Sequence, residues 1–231
     1  MTNQLLASAT PVTTAALPRG QLKAKAYREL KRLLLMGEFG PETFLSEREF
    51  ARLVGMSNAP IRSAIERLAA EGLIFVSPQR GIQVRELSNG EIADHYELRE
   101  LLEPFICRRI AGRLNPDQVR RLRDNVEALE RGASEFGLER VIEIDTEFHI
   151  MLAEFYGNGE ITRAITDLRD KITRVIVRAF GKSPGRLAVG CQEHRQIADA
   201  IINGEPDLAQ RFALEHIQSG MKSVLPSGAW R

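Results

Sequence analysis

The chain has 231 residues, of which 43% are hydrophobic and 27% are charged, and its formal net charge is +1. This composition excludes a wholly disordered protein and supplies apolar side chains for one large or two modest cores. No run approaches the roughly 18 apolar residues of a membrane span, and the first residues lack a signal-peptide pattern. We therefore expect a soluble, cytoplasmic protein without a membrane partner.

The two cysteines, Cys107 and Cys191, have no C-x-x-C spacing, so we expect buried, unreactive thiols rather than a redox or metal motif. The charges are distributed unevenly. Residues 1–87 hold 12 Lys and Arg against 8 Asp and Glu, and the remainder holds 20 against 23. The net charge is therefore +4 in residues 1–87 and −3 in the remainder, which weakly favours nucleic-acid binding by the front alone.

Residues 1–20 are rich in Thr, Ala and Pro and predict a flexible N-terminal arm. Residues 21–87 then predict three helices. The first begins at Gln21, the second begins with a capping box, and the third is capped by Ser57. The capping box is formed by Ser46 and Glu49.

Two apolar runs, residues 73–76 and 82–84, flank a Ser-Pro-Gln-Arg-Gly turn and predict a hairpin. Three helices followed by a hairpin are typical of a winged helix-turn-helix. The fold class we predict is mainly α, with this N-terminal domain at residues 21–87.

Residues 88–225 show only helical periods, broken at positions that include Gly112, Gly132 and Gly157. These breaks predict about six helices in an antiparallel bundle, which we interpret as an effector-binding and dimerisation domain. The last residues, 226–231, are expected to form a tail.

The N-terminal part of the third helix is the part that a helix-turn-helix places in the major groove. Arg62 is the strongest candidate for base recognition, because a guanidinium can bond bidentately to guanine. Ser57 and Asn58 can cap the helix or touch phosphate, and Arg48 can reach the DNA backbone or a base. Any single one of these residues is also an ordinary surface residue, so the prediction depends on their joint order and spacing.

The rear domain combines one carboxylate and three histidines on apolar helical stripes: Asp145, His149, His194 and His216. Each would need a buried partner, and a shared divalent cation satisfies all four. Zn²⁺ fits this donor set best, with Ni²⁺, Mn²⁺ and Fe²⁺ as alternatives. The other interpretation is a set of core histidines with ordinary hydrogen-bond partners.

The front of the chain resembles the GntR family of regulators. The resemblance is carried by Leu45-Ser-Glu-Arg48, Gly55-Met-Ser-Asn-Ala-Pro-Ile-Arg62, Glu71-Gly-Leu73 and Arg80-Gly81. It implies DNA contacts at Arg48, Asn58 and Arg62 and at the wing, which here carries Gln79, Arg80 and Gly81. Asn58 stands where the family usually has arginine, and Ala59 where it has threonine, which implies a different preferred operator.

The rear resembles the FadR-like effector domain called FCD, through Asp145-Thr-Glu-Phe-His149, His194-Arg-Gln-Ile197 and His216. Six helices suggest the shorter, VanR-like group. The resemblance implies that the metal helps to hold an organic acid, with Arg99 near the pocket. An i to i+4 ion pair between Arg99 and Glu103 is an equally good interpretation of that arginine.

Together these observations predict a homodimeric repressor, not an enzyme, that binds a palindromic operator and responds to a small carboxylate at the metal site. Two alternatives stay open. One is a metalloenzyme that uses the Asp/His₃ site, although no nucleophile motif is present and residues 21–87 would be left without a role. The other is a DNA-binding regulator whose rear domain only dimerises.

Overall fold

A computed structural model describes residues 18–40, 43–135, 137–182 and 185–225. Most of the expected arm, residues 1–17, and the expected tail, residues 226–231, lie outside the described residues. None of the described helices is long and apolar enough to cross a membrane.

The front of the chain folds into three helices and a small sheet. In chain order, the elements are α1 (Arg19–Leu35), β1 (Phe44–Leu45), α2 (Glu47–Val54), α3 (Asn58–Ala70), β2 (Ile74–Ser77) and β3 (Gly81–Val84). The strands are antiparallel in the order β1-β3-β2, so the predicted hairpin gains a third strand that the sequence analysis missed. Two residues are too few to show the alternating pattern of a strand.

The helix boundaries follow local capping chemistry. α1 begins at Arg19, two residues before the predicted start, directly after Pro18. The predicted capping box at the start of α2 is confirmed, because the Ser46 side chain accepts from the Glu49 amide and the Glu49 side chain accepts from the Ser46 amide.

The prediction that Ser57 caps α3 is correct in position, but the expected hydrogen bond is not formed. Ser57 occupies the N-cap position of α3, but its side chain makes no capping bond. The third residue of that helix is Pro60, which has no amide hydrogen to donate to a capping oxygen.

Six helices follow the sheet in the described part of the chain: α4 (Asn89–Ile110), α5 (Pro116–Glu135), α6 (Leu138–Tyr156), α7 (Gly159–Lys182), α8 (Gly185–Ile202) and α9 (Pro206–Val224). Short connections place α5 against α6, α6 against α7 and α8 against α9, while α4 packs on α9. The predicted class, a winged helix-turn-helix followed by an all-α bundle, is confirmed.

Gly132 does not end a helix, contrary to the prediction, because α5 continues through it to Glu135. A glycine inside a helix costs only about 1 kcal/mol relative to alanine. The buried side chains of Leu122, Val126 and Leu129 on the same helix offset that cost. The two cysteines, Cys107 and Cys191, are free and buried, as expected.

The front and rear of the molecule are in direct contact. Lys31 on α1 forms an ion pair with Asp170 on α7, and Arg32 lies 2.8 Å from Glu139 at the start of α6. Arg174 on α7 donates to the main-chain oxygen of Phe39 at 2.6 Å. These contacts therefore connect α7 directly to the helix-turn-helix.

Candidate metal centre and nucleic-acid surface

The structure brings together the four predicted metal ligands from three helices. Asp145 and His149 lie one turn apart on α6, His194 lies on α8 and His216 on α9. All four are buried, with exposed fractions between 1% and 8%. One ring nitrogen from each histidine lies within 4.8 Å of the other two.

The spacing of the ligand atoms fits a single small cation. The Nε2 atoms of His149 and His194 are 3.3 Å apart, and Oδ1 of Asp145 lies 3.3 Å from Nε2 of His194. Two ligands bound about 2.0–2.1 Å from a tetrahedral zinc ion lie about 3.3–3.4 Å from each other. The Oδ1 atom is 4.0 Å from Nε2 of His149, so that distance must shorten for both atoms to bind one ion.

Each imidazole is oriented by a hydrogen bond from its other nitrogen. Nδ1 of His149 lies 2.6 Å from Oε2 of Glu103, and Nδ1 of His194 lies 2.7 Å from the main-chain oxygen of Gly190. Nδ1 of His216 lies 2.8 Å from Oε2 of Glu193. Metal-binding histidines typically use this arrangement, in which a carboxylate or carbonyl fixes the tautomer and the ring orientation.

These partners decide where the protons lie. A neutral histidine that donates from Nδ1 carries a lone pair on Nε2. Burial lowers the pKa of His149 to about 4 and lowers that of His194 well below its ordinary range, so both are neutral near pH 7. Lone pairs of His149, His194 and the Asp145 carboxylate therefore face one another without a donor between them. A divalent cation is the chemical group that such an arrangement fits.

Arg169 is a partner of Asp145 that the sequence analysis missed. Its guanidinium, 1% exposed, forms an ion pair with Oδ2 of Asp145 and donates to Thr146 at 3.2 Å. Although burial opposes ionisation, this charge helps to hold the pKa of Asp145 well below its usual range. The carboxylate is thus ionised, with Oδ1 turned towards the histidines.

A small cavity of about 30 Å³ adjoins two of the four ligands, Asp145 and His216. Its polar lining comes from seven residues: Tyr96, Arg99, Asp145, Arg169, Arg186, His216 and Ser223. Nε of Arg169 and both Nε and Nη1 of Arg186 are buried, and no hydrogen-bond partner for them lies in the part of the chain that the structure describes. The cavity therefore presents guanidinium donors beside the ligand cluster.

Arg99 lines this cavity and also forms the ion pair that the sequence left as an alternative. Its Nε donates to Glu103 at 2.6 Å, and both side chains are buried. Although burial opposes ionisation, Arg99 and His149 hold the pKa of Glu103 well below its usual range. Arg99, Glu103 and His149 form one continuous chain of contacts.

The side chains on α2 and α3 that are predicted to contact DNA are all exposed. Arg48 is exposed at the start of α2, and Ser57, Asn58 and Arg62 are exposed at the start of α3. Arg62 lies 3.0 Å from Glu47, which holds the first turn of α3 against that of α2. This ion pair must open or rearrange for the guanidinium to reach a base.

The turn between β2 and β3 exposes Gln79 and Arg80. Gly81 has a structural role at this turn. Its φ is +98°, and a Cβ there would lie 2.8 Å from the main-chain oxygen of Leu45 on β1. Glycine at this position therefore permits the pairing of β1 with β3.

Comparison with known proteins matches two family models to separate parts of the chain. Residues 22–84 match the family model for bacterial regulatory proteins of the gntR family, and residues 94–219 match the FCD domain. An uncharacterized HTH-type transcriptional regulator in an unstable DNA locus of Streptomyces ambofaciens is 31% identical over 84% of this chain and 80% of its own. The HTH-type transcriptional repressor RspR of Escherichia coli is 27% identical over 92% and 93%.

Solved structures show the same fold. Escherichia coli McbR/YncC has a TM-score of 0.75 at 19% identity, over 85% of this chain and 93% of its own. A GntR regulator from Rhodococcus has a TM-score of 0.75 at 18% identity, over 91% and 100%. The names of the relatives and the matched families indicate a regulator rather than an enzyme.

Proposed function

This chain belongs to the GntR family of DNA-binding transcriptional regulators with an FCD domain, and on that premise we propose that it is a homodimeric repressor controlled by a small carboxylate at a divalent metal site. One observation carries this proposal. Acceptor atoms of Asp145, His149 and His194 face one another with no hydrogen-bond donor between them, and His216 lies beside them. Buried acceptors in such a group need a cation between them.

Asp145, His149, His194 and His216 would hold the metal. Zn²⁺ suits three imidazoles and one carboxylate best, with Ni²⁺, Mn²⁺ and Fe²⁺ as alternatives. When bound, the ion would act as a Lewis acid to which an effector carboxylate coordinates. Glu103, Gly190 and Glu193 would set the orientation of the rings.

The effector is proposed to be a small organic acid because guanidinium groups line the adjoining cavity. Arg99 is the residue that we predicted for this role, and Arg169 and Arg186 join it. The unpartnered nitrogens of Arg169 and Arg186 are suited to donate hydrogen bonds to carboxylate oxygens. Since about 30 Å³ holds little more than a water molecule, an effector must widen the cavity by moving the surrounding helices.

DNA binding is assigned to the exposed surface of α2 and α3 and to the wing. We propose that α3 enters the major groove with Ser57, Asn58 and Arg62 near the bases or phosphates. The remaining proposed contacts are at Arg48, Gln79, Arg80 and Gly81. A palindromic operator would match two such domains in a two-fold dimer.

The dimer contact that we propose lies on α4. Leu98, Leu101 and Phe105 are 46%, 66% and 42% exposed and lie on one face of that helix, at spacings of three and four residues. A second copy of the chain is the occupant that a two-fold operator requires. Sedimentation of Leu101→Glu should show monomers if this face pairs, and an unchanged dimer would exclude it.

We propose residues 21–87 as the DNA-binding domain and 88–225 as the sensing and dimerisation domain. The connecting segment is short, since β3 ends at Val84 and α4 begins at Asn89. Helix α7 contacts α1 directly, so movement of the bundle around an effector would change the orientation of the helix-turn-helix.

Elemental analysis of the purified, untagged protein tests the metal site. We expect near-stoichiometric metal in the wild type and loss of metal in Asp145→Ala and His194→Ala. Glu147→Ala is the matched control, because this acid lies on α6 but is exposed. Protein that contains no metal even after reconstitution would reject the metal site but not the DNA-binding proposal. The three histidines would then be ordinary core residues, and the rear domain would serve only for dimerisation.

A further inference from the structure

A second cavity, of about 280 Å³, lies where the two halves of the molecule meet. One wall is the segment from Arg85 to Asn89, between β3 and α4, and the opposite wall is α7. We call it the interdomain cleft. It is about nine times as large as the cavity beside the metal ligands, so it has room for a small metabolite in the present conformation.

The interdomain cleft is strongly basic. Four cationic side chains line it: Arg85, Lys171, Arg174 and Arg178. Glu86 is the acidic side chain in the lining, and Arg85 is neutralised by an ion pair with Glu91 outside it. The remaining side chains carry three positive charges against the single negative charge of Glu86, so the cleft has an excess of about two positive charges.

Arg174 is the buried centre of this charge. The residue is 8% exposed, and its Nη2 donates to Phe39 and lies 3.5 Å from Glu86. Its Nε and Nη1 are buried and have no hydrogen-bond partner among the described residues. Burial lowers the pKa of this guanidinium. Unpaired buried donors on a charged group are costly, and an anion in the cleft would relieve that cost.

Lys171 adds a second cation that is free to bind a ligand. It lies one turn before Val175 on α7, it is partly exposed, and no hydrogen bond or ion pair engages its amine among the described residues. Arg178 lies one turn beyond Arg174 and forms an ion pair with Glu86, with 3.1 Å between Nη1 and the carboxylate. Three cations at spacings of three and four residues thus face the cleft from one helix.

We propose that the interdomain cleft binds the phosphate group of a small phosphorylated metabolite, on Lys171, Arg174 and Arg178. A phosphate monoester carries about two negative charges near pH 7 and three acceptor oxygens on one atom. It therefore matches the excess charge and can meet cations from three directions, whereas a single carboxylate offers one charge and two oxygens. The volume beyond one phosphate would hold the organic part.

The site is separate from the metal centre. Its cations come from α7 and the segment after β3, and none of them is a proposed metal ligand. The two cavities meet only at a wall formed by Ala179, Ser223 and Val224. Binding in the cleft should therefore survive removal of the metal, and the two proposals can fail independently.

Isothermal titration of the full chain with inorganic phosphate and with glycerol 3-phosphate tests the proposal. We expect both to bind, the monoester more tightly, in metal-loaded and in chelator-treated protein alike. Lys171→Gln and Arg174→Gln should each weaken binding about tenfold, because each removes one charge-assisted contact. Arg109→Gln, an exposed arginine on α4, is the matched control and should bind like the wild type.

Lys171→Gln guards against a folding artefact, since it breaks no ion pair, whereas Arg174→Gln loses the bond to Phe39. Equal phosphate affinity in the wild type and Lys171→Gln would overturn the proposal, as would binding that disappears with the chelator. Absence of heat with both phosphates at millimolar concentration would overturn it too. Succinate binding that depends on Lys171 would replace the phosphate with a dicarboxylate and would reject the stated ligand class.

Discussion

Glu103 accepts a hydrogen bond from Nδ1 of His149 at 2.6 Å and so turns the Nε2 of that ring towards His194. The carboxylate belongs to α4 and the imidazole to α6. We predict that Glu103→Gln lowers zinc affinity roughly 10- to 100-fold, which is the usual cost of losing such a partner. Competition titration against a chromophoric chelator measures the change.

Because Glu103 also neutralises Arg99, its substitution leaves a buried charge and can lower stability. Glu193→Gln is a second variant at a half-buried position, since Glu193 holds His216 in the same way and also pairs with Arg186. Glu97→Gln, an exposed acid on α4, should leave zinc affinity unchanged. Wild-type affinity in both Glu103→Gln and Glu193→Gln would show that the rings need no such support.

The proposed DNA-binding surface leads to a prediction about Arg62 and its ion-pair partner Glu47. Arg62→Ala should weaken binding to an operator selected from random duplexes by about tenfold or more, if the guanidinium contacts a guanine. Glu47→Gln should preserve or strengthen binding, because it releases Arg62 from its ion pair. Fluorescence anisotropy at fixed salt measures both, with Arg109→Ala as the control. Weaker binding in Glu47→Gln would mean that the ion pair positions Arg62.

The wing leads to a prediction about backbone geometry. Gly81→Ala introduces a side-chain atom 2.8 Å from the Leu45 oxygen in a residue whose φ is +98°. We expect destabilisation of about 1–3 kcal/mol and weaker DNA binding, because β1 must move away from β3. Gly37→Ala is the matched control, since its φ is +77° but none of the described residues lies within 4 Å of the added atom. Thermal denaturation measures both variants. If they lose the same stability, the cost at Gly81 comes entirely from its positive φ and not from the contact with Leu45.

The ligand cluster could be predicted from the sequence because helical spacing puts polar residues on an apolar stripe. Asp145 and His149 are four apart, so one buried face must hold both. Their partners could not be predicted in this way. Arg169 is buried and Arg186 partly buried, and this burial depends on how α7 and α8 pack against the other helices. The Arg99 to Glu103 pair was visible as an i to i+4 spacing, but its contact with His149 depends on tertiary packing.

The N-terminus of α4 gives a prediction about pH. Glu91 forms a capping box with Ser88, whose amide donates to it at 3.0 Å. These hydrogen bonds from Ser88 lower the pKa of Glu91 from its ordinary 4.5. A carboxyl whose pKa is lower in the folded state stabilises the fold above its unfolded pKa, and that stability is lost as pH falls through the folded pKa.

We therefore expect Glu91→Gln to lower the unfolding midpoint by about 1–3 °C at pH 7, and the difference from wild type to shrink below about pH 4. Glu97→Gln, on the same helix but exposed, should show no such pH dependence. Thermal denaturation at a series of pH values measures both variants. A difference that stays constant down to pH 3 would contradict the prediction, because ionisation of Glu91 would then not be its source.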